Sequence, residues 1–456
     1  MLRTLQLKHL LVALIAPGLI AAAQANPFET TLKNGLRVIV KEDHRAPTAV
    51  QMVWYRIGSI DEMDGNSGVA HVLEHMMFKG TPTIGPGEFN RRVAAAGGRD
   101  NAFTSRDYTA YFQQVPKEKL PEMMELEADR MRHLNVDPKE FAQEIKVVME
   151  ERRMRTDDNP QAKLYEQANA MAFETHPYRR PVIGWMSDLE HMTARDAHEW
   201  YDRWYVPNNA YLVVTGDVDH QAVFALAEKY YGPLEGRALP ARKPLSEPSQ
   251  EGIRRLVVKA PAELPLLVMG YKAPVVRDVA KDIDPFALEM LAAVLDGHEA
   301  ARFGKRLVRE QKIAVSAGVD YDSTALGPGM FVLHGSPSEG KTVAELETAL
   351  RREIARIQKD GVSESELKRA KAQVVAAQVY KRDSMFAQAM EIGQMEATGL
   401  SYKDIDLMIE RLQQITGPQV QAVAKKYFGD DTLTVGVLDP QPLDGKPRQP
   451  ATPARH

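Results

Sequence analysis

The chain has 456 residues, with 58 Lys and Arg against 62 Asp and Glu, 12 His and no Cys. Hydrophobic residues make up 44% and charged residues 26%, an ordinary globular composition that excludes a disordered or collagen-like chain; the net charge of −4 offers no basic footprint for nucleic acid. Without cysteine there is no disulfide, iron–sulfur cluster, Cys-ligated zinc or thiol nucleophile, so any metal must sit on His and carboxylates.

Residues 1–25 read as an export signal. Arg3 and Lys8 form a positive n-region, Leu10 to Ala23 an apolar h-region broken by Pro17-Gly18, and Ala23-Gln24-Ala25 a small-residue cleavage site. That run is short of the ~20 apolar residues a membrane-spanning helix needs. The expectation is a periplasmic or secreted protein with no membrane span once the signal is removed.

Strand-like runs at 36–41, 48–55, 107–115 and 210–216 are rich in Val, Tyr and Thr. Between them lie amphipathic helical stretches at 117–133, 138–156 and 193–204, and later at 344–358 and 364–398. Two sequence echoes divide the chain. Arg37-Val-Ile-Val-Lys41 returns as Arg255-Leu-Val-Val-Lys259. Arg203-Trp-Tyr205 with Asn208, Val213 and Asp217 returns, at nearly the same offset, as Lys425-Lys-Tyr427 with Asp430, Val435 and Asp439. Two matches at nearly one offset argue for an ancient duplication. The Pro-, Gly- and charge-rich stretch from Gly236 to Gly252 reads as the joint. The predicted organisation is a first half over 26–240, a linker over 241–252, a second half over 253–440 and a flexible tail over 441–456. The fold class is α+β, each half a mainly antiparallel sheet backed by helices.

Residues 66–80, Asn-Ser-Gly-Val-Ala-His-Val-Leu-Glu-His-Met-Met-Phe-Lys-Gly, carry the chemistry. Ser67 can cap a helix that continues through Met77 to Gly80. On it His71 and His75 are at i and i+4, so both imidazoles leave one face, with Glu74 on the same side. His-x-x-Glu-His reverses the His-Glu-x-x-His zinc helix: two imidazoles supply two corners of a tetrahedral site and the Glu reaches water on the metal. A third ligand must be a carboxylate or another His. On the helix at 138–156, Glu144 and Glu151 are two turns apart on nearly one face while Glu150 points about 100° away; that face is either a ligand platform or merely solvated. His44, His133, His176, His191, His198, His220, His298 and His334 lack such company and read as structural. Gly97-Gly98, ahead of Asn101-Ala102-Phe103 and the strand that follows, allows close backbone approach. An exposed edge there could accept an extended peptide, or could be a hairpin with no partner.

These segments, with Gly97 through Phe112 and Glu144 through Pro160, resemble the pitrilysin/insulinase family of zinc peptidases, the inverzincins, and within it the short-chain, processing-peptidase-like branch. The resemblance spans nearly the whole mature chain. It implies one zinc ion per chain bound by His71, His75 and a Glu further along, at a family spacing from the second His that lands on Glu151. It also implies Glu74 as the catalytic base, Glu144 as the partner supporting a ligand, and Asn101, Ala102 and Phe103 as contacts on an edge strand that pairs with substrate. The second half should be an inactive homologue: the segment matching the zinc helix, Glu289 to Asp296, has no His pair. In the family that half supplies an Arg and a Tyr that grip substrate. Here Arg309 matches, but Val315 stands where Tyr is expected, with Tyr321 nearby. The expected activity is that of an exported zinc metalloendopeptidase acting on peptides or unfolded segments. A homologous chain, in a heterodimer or a homodimer, is expected to supply the Arg/Tyr pair. The alternatives are a non-catalytic binding or assembly subunit of the same fold, and a metal site that serves structure alone. Against both stands the complete set His71, Glu74, His75 and Glu151.

Overall fold

In each half the apolar runs build one sheet, and the computed structural model describes residues 27–443. The signal-peptide reading of 1–25 and positions 444–456 of the expected tail lie outside the described residues. The first sheet contains β1 (Phe28–Thr31), β2 (Arg37–Glu42), β3 (Thr48–Tyr55), β4 (Arg99–Thr104), β5 (Thr109–Pro116) and β6 (Ala210–Gly216), in the order β1-β2-β6-β3-β5-β4. The second contains β7 (Arg254–Pro261), β8 (Leu266–Ala273), β9 (Ala314–Tyr321), β10 (Gly329–Pro337) and β11 (Leu433–Gln441), in the order β7-β11-β8-β10-β9. Without β1 the two orders coincide. Each sheet has one parallel pair, β2 with β6 and β7 with β11, among antiparallel neighbours. The two echoes in the sequence are the two members of that parallel pair, which is why they recur together.

The first half carries α1 (Val69–Met76), α2 (Glu88–Ala95), α3 (Leu120–His133), α4 (Pro138–Arg152), α5 (Pro160–Ala172), α6 (Met186–His191), α7 (Ala194–Trp204) and α8 (His220–Tyr230). The second carries α9 (Asp284–Asp296), α10 (Val343–Asp360), α11 (Glu364–Lys381), α12 (Met385–Ala397), α13 (Ile405–Gln414) and α14 (Gly417–Tyr427). Strand side chains alternate between two cores, as a period of two requires. Val38, Val40, Val53, Tyr55, Leu212 and Val214 join a core with α1, α3, α7 and α8. Ile39, Val50, Met52, Trp54, Tyr211 and Val213 face the other way, onto Ala389, Ile392 and Met395 of α12.

A helix of the second half therefore covers the outer face of the first sheet. The exchange is reciprocal: Leu164 of α5 packs with Val258, Ala260, Leu266, Val268 and Leu438 on the second sheet. With both faces buried, the central strands read as continuous apolar runs.

The helix expected over 364–398 is two helices. Arg382 to Ser384 form the break, and the Ser384 hydroxyl accepts the Ala387 N–H (3.2 Å), starting α12 afresh so that it can cross to the other sheet. The expected tail begins as structure, because β11 runs on to Gln441, paired with Pro261.

Gly393 lies flat against the Trp54 indole, where a Cβ would overlap the ring, and its carbonyl accepts the Tyr211 hydroxyl (2.6 Å). Gly393→Ala should therefore cost about 1–3 kcal/mol by overpacking this contact. Thermal unfolding followed by circular dichroism should show the melting midpoint several degrees lower, whereas Gly429→Ala, with open space around it, should leave it unchanged.

Candidate metal centre

Helix α1 buries Val69, Ala70, Val72, Leu73 and Met76 in the core, which leaves His71, Glu74 and His75 toward α4 and β4. Its start differs from the expected Ser cap. Gly68 sits at φ 88°, a conformation suited to glycine, and Ser67 turns away to bond Asp188 Oδ2 (2.6 Å) and accept the Trp185 N–H (2.9 Å). The cap is Glu62, whose carboxyl oxygens accept the N–H groups of Gly68 (2.9 Å) and Ala70 (3.0 Å). Burial pushes the Glu62 carboxyl up to about 8, against the pull of those two donors and Arg180.

Helix α4 starts firmly: Asp137 accepts the N–H groups of Lys139 (2.7 Å) and Glu140 (3.2 Å), with Pro138 in the first turn. Phe141 and Val148 anchor it in the core, and Glu144 and Glu151 meet α1. Glu150, one residue before Glu151, faces solvent and pairs with Arg153 (3.0 Å).

His71, His75 and Glu151 bring one ligand atom each to within 4.8 Å of one another. Glu151 Oε2 lies 3.3 Å from His75 Nε2 and 3.9 Å from His71 Nε2. His75 Nδ1 donates to Glu144 Oε1 (2.8 Å), and Lys79 pairs with the other oxygen of Glu144. That bond holds a proton on Nδ1, orients the ring and turns Nε2 toward Glu151. The donor set, two imidazoles and one carboxylate with no thiolate, suits zinc with a position left open. Glu74 stands beside the trio and outside it: its Oε2 accepts the Thr104 hydroxyl (2.5 Å) from β4.

Electrostatics separate these groups. Burial, aided by the neighbouring His75, lowers His71 to about 4. Burial would also lower His75, but its bonds to Glu144 and Glu151 override this and raise it to about 9. Burial raises the Glu74 carboxyl, only partly offset by Thr104 and His75. Burial opposes ionisation of Glu144 and Glu151 as well, yet their cationic and imidazole neighbours hold both below the ordinary carboxylate value.

Asn101, Ala102 and Phe103 lie on β4, which among the described residues pairs with β5 alone and forms the sheet's edge. Past Thr104 the chain turns into a cavity of about 490 Å³ between the halves, lined by Arg106, Asp107, Tyr165, Tyr178 and Tyr321 among others. Tyr321 donates its hydroxyl to the Pro274 carbonyl (2.6 Å), and Val315 is half exposed on β9. Arg309 lines a separate cleft with none of the trio and not with Tyr321. One grouping has no signal in the sequence. Glu42, Asp219 and His220 also converge, with Glu42 accepting both the backbone N–H and Nδ1–H of His220 (2.8 Å each). Glu42 and His220 are 178 positions apart, and only the parallel pairing of β2 with β6 brings them together.

A sequence model of the insulinase family (peptidase family M16) matches residues 37–185, and one of the M16 inactive domain matches 191–374. The zinc protease PqqE of Helicobacter pylori is 31% identical over 447 residues, covering 96% of this chain and 98% of the relative. A crystal structure of a protease from Helicobacter pylori superposes with a TM-score of 0.86 at 30% identity, covering 91% of this chain and 99% of that one. The periplasmic protease PqqL of Escherichia coli shares the fold, with a TM-score of 0.78 at 20% identity over 91% of this chain and 48% of that one.

The Glu62 cap yields a test with a definite sign. Its folded-state carboxyl keeps a proton that the unfolded chain loses near the ordinary carboxylate value. Its contribution to stability is therefore lost as pH rises toward about 8. The melting temperature of the parent should fall relative to Glu62→Gln across that window; parallel curves would contradict the assignment.

Proposed function

The chain belongs to the insulinase family of peptidases, M16, and on that footing we propose that it is an exported zinc metalloendopeptidase that cleaves peptides or unfolded polypeptide segments. The observation that carries the reading is the convergence of His71, His75 and Glu151 beside an uncommitted Glu74. A site serving structure alone has no use for a buried carboxylate next to an open position.

His71, His75 and Glu151 would hold the metal, and Glu144 orients His75 through Nδ1. Zinc, when bound, supplies Lewis acidity toward the peptide carbonyl and makes water more acidic. Glu74 takes the proton from the attacking water and returns it to the leaving amine. Thr104 holds one oxygen of Glu74 and leaves the other for that water. The substrate adds as an extended strand to the free edge of β4, its backbone against Asn101, Ala102 and Phe103.

The match to the inactive domain covers residues 191–374, running from α7 at the end of the first half into α11 of the second, and touches none of His71, Glu74, His75 or Glu151. Helix α9 stands where α1 stands in the first half and carries no His. We assign Arg309 to substrate recognition and expect a homologous chain, or a second copy, to complete the grip that Val315 lacks. Export rests on the N-terminal pattern. Among the described residues no helix is long and apolar enough to cross a membrane.

Glu74→Gln should retain zinc and lose at least about a thousandfold of the peptide-cleavage rate. Metal analysis with a quenched-fluorescence peptide assay checks this, and parental activity in the mutant would refute the role. Glu144→Gln should weaken zinc binding roughly 10–100-fold in a chelator competition, whereas Glu150→Gln should leave it unaltered.

A further inference from the structure

The second half contains a cationic cleft in which Arg309, already assigned to substrate recognition, stands among cations that the proteolytic chemistry does not use. The segment Phe303–Glu310 is a π-helix; at its end the Gln311 N–H donates to the Arg306 carbonyl (2.9 Å). Lys312, directly after, has φ 51°, the one non-glycine residue at positive φ among those described. Such i→i+5 turns are rare and are retained most often where they position functional groups. Here the groups are Arg302, Lys305, Arg306 and Arg309, which with Arg369 of α11 line a cleft of about 440 Å³.

Two of these cations are already matched. Arg302 forms a two-pronged pair with Glu366 (2.8 and 3.0 Å), and Arg306 donates to Glu353 (3.0 Å). Lys305 reaches Glu310 only at 3.9 Å, and both are exposed. For Arg309 and Arg369 no carboxylate lies within ion-pairing distance among the described residues. Arg309 and Arg369 thus remain unmatched, with Lys305 held only by a long, exposed pair, on one concave surface of a chain whose net charge is −4.

We propose that this cleft is a binding site for acidic stretches of polypeptide, separate from the metal centre, with Lys305, Arg309 and Arg369 as its carboxylate receptors. Arginine forks pair with carboxylates in two-pronged fashion, so two arginines and a lysine suit neighbouring Asp or Glu side chains. The cleft has no aromatic lining on which bases could stack, which is unfavourable for a nucleic acid strand. As a substrate preference the proposal rests on the peptidase reading; as a binding property it does not.

The test uses the full chain and fluorescently labelled peptides that differ only in a run of Glu against Gln. Anisotropy should show the Glu peptide binding at least tenfold more tightly. Raising ionic strength from about 0.05 to about 0.3 M should weaken it, as expected for exposed charges. K305E/R309E/R369E should abolish the difference, and the milder K305Q/R309Q/R369Q should reduce it, while R195E on the exposed face of α7 should not. Equal binding of both peptides, or no effect of either triple variant, would overturn the proposal. So would displacement by inorganic phosphate as effective as by the Glu peptide, or tighter binding of a single-stranded oligonucleotide. Binding is read without turnover, so a chain that binds the Glu peptide but cleaves nothing would sink the peptidase reading alone. A chain that cleaves both peptides equally and binds them equally would sink only the acidic-segment proposal.

Discussion

The packing of α1 against α4 is the contact on which the site depends. Two short stretches of chain, 69 residues apart at His75 and Glu144, are joined by a hydrogen bond that orients an imidazole and is itself braced by Lys79. Bringing buried imidazoles and carboxylates this close is costly unless each charge finds a partner. The molecule meets that cost with complementary neighbours: Glu144 between His75 and Lys79, and Glu151 between the two imidazoles and Arg155 (2.7 Å). The scaffold supports both helices from below. Glu62 ties down the start of α1 and Asp137 that of α4, and each helix sends its apolar face into one core.

The second organising constraint is the exchange of α5 and α12. Each sheet presents two apolar faces, and neither half covers both with its own helices. The halves are therefore held by core packing, with the cavity between them just past the end of the edge strand. Asp107 reinforces the junction, accepting the Tyr178 hydroxyl (2.5 Å) and the Leu326 N–H (3.0 Å) of the opposite half. The His pair lies in the first half alone among the described residues: α9, between β8 and β9 as α1 is between β3 and β4, carries no His.

Much of this is legible in the sequence because it is local or periodic. The His-x-x-Glu-His spacing puts three side chains on one helical face, and the two-turn spacing of Glu144 and Glu151 does the same on another. The duplication shows in strand motifs because strands paired side by side keep their pattern. What stays hidden depends on long-range packing. The sequence suggests Ser67 as the cap, but Gly68 at positive φ redirects the chain and gives the task to Glu62. The segment 364–398 reads as one helix because helical pattern continues through both parts; the local break signal is Ser384, which caps the more apolar α12 as it crosses to the other sheet. The cluster of Glu42, Asp219 and His220, and the gathering of Arg369 with the cations near Arg309, depend on tertiary neighbours that no spacing rule reveals.

The central claim, that His71, His75 and Glu151 form a zinc site open to water, is tested most directly by X-ray absorption at the zinc edge on the purified chain. The account predicts one zinc per chain with two imidazole nitrogens and two oxygens, all at about 2.0–2.1 Å. It also predicts that one of those oxygens is lost from the protein shell in Glu151→Gln. A chain that takes up no zinc, or a zinc shell without imidazole, would contradict it.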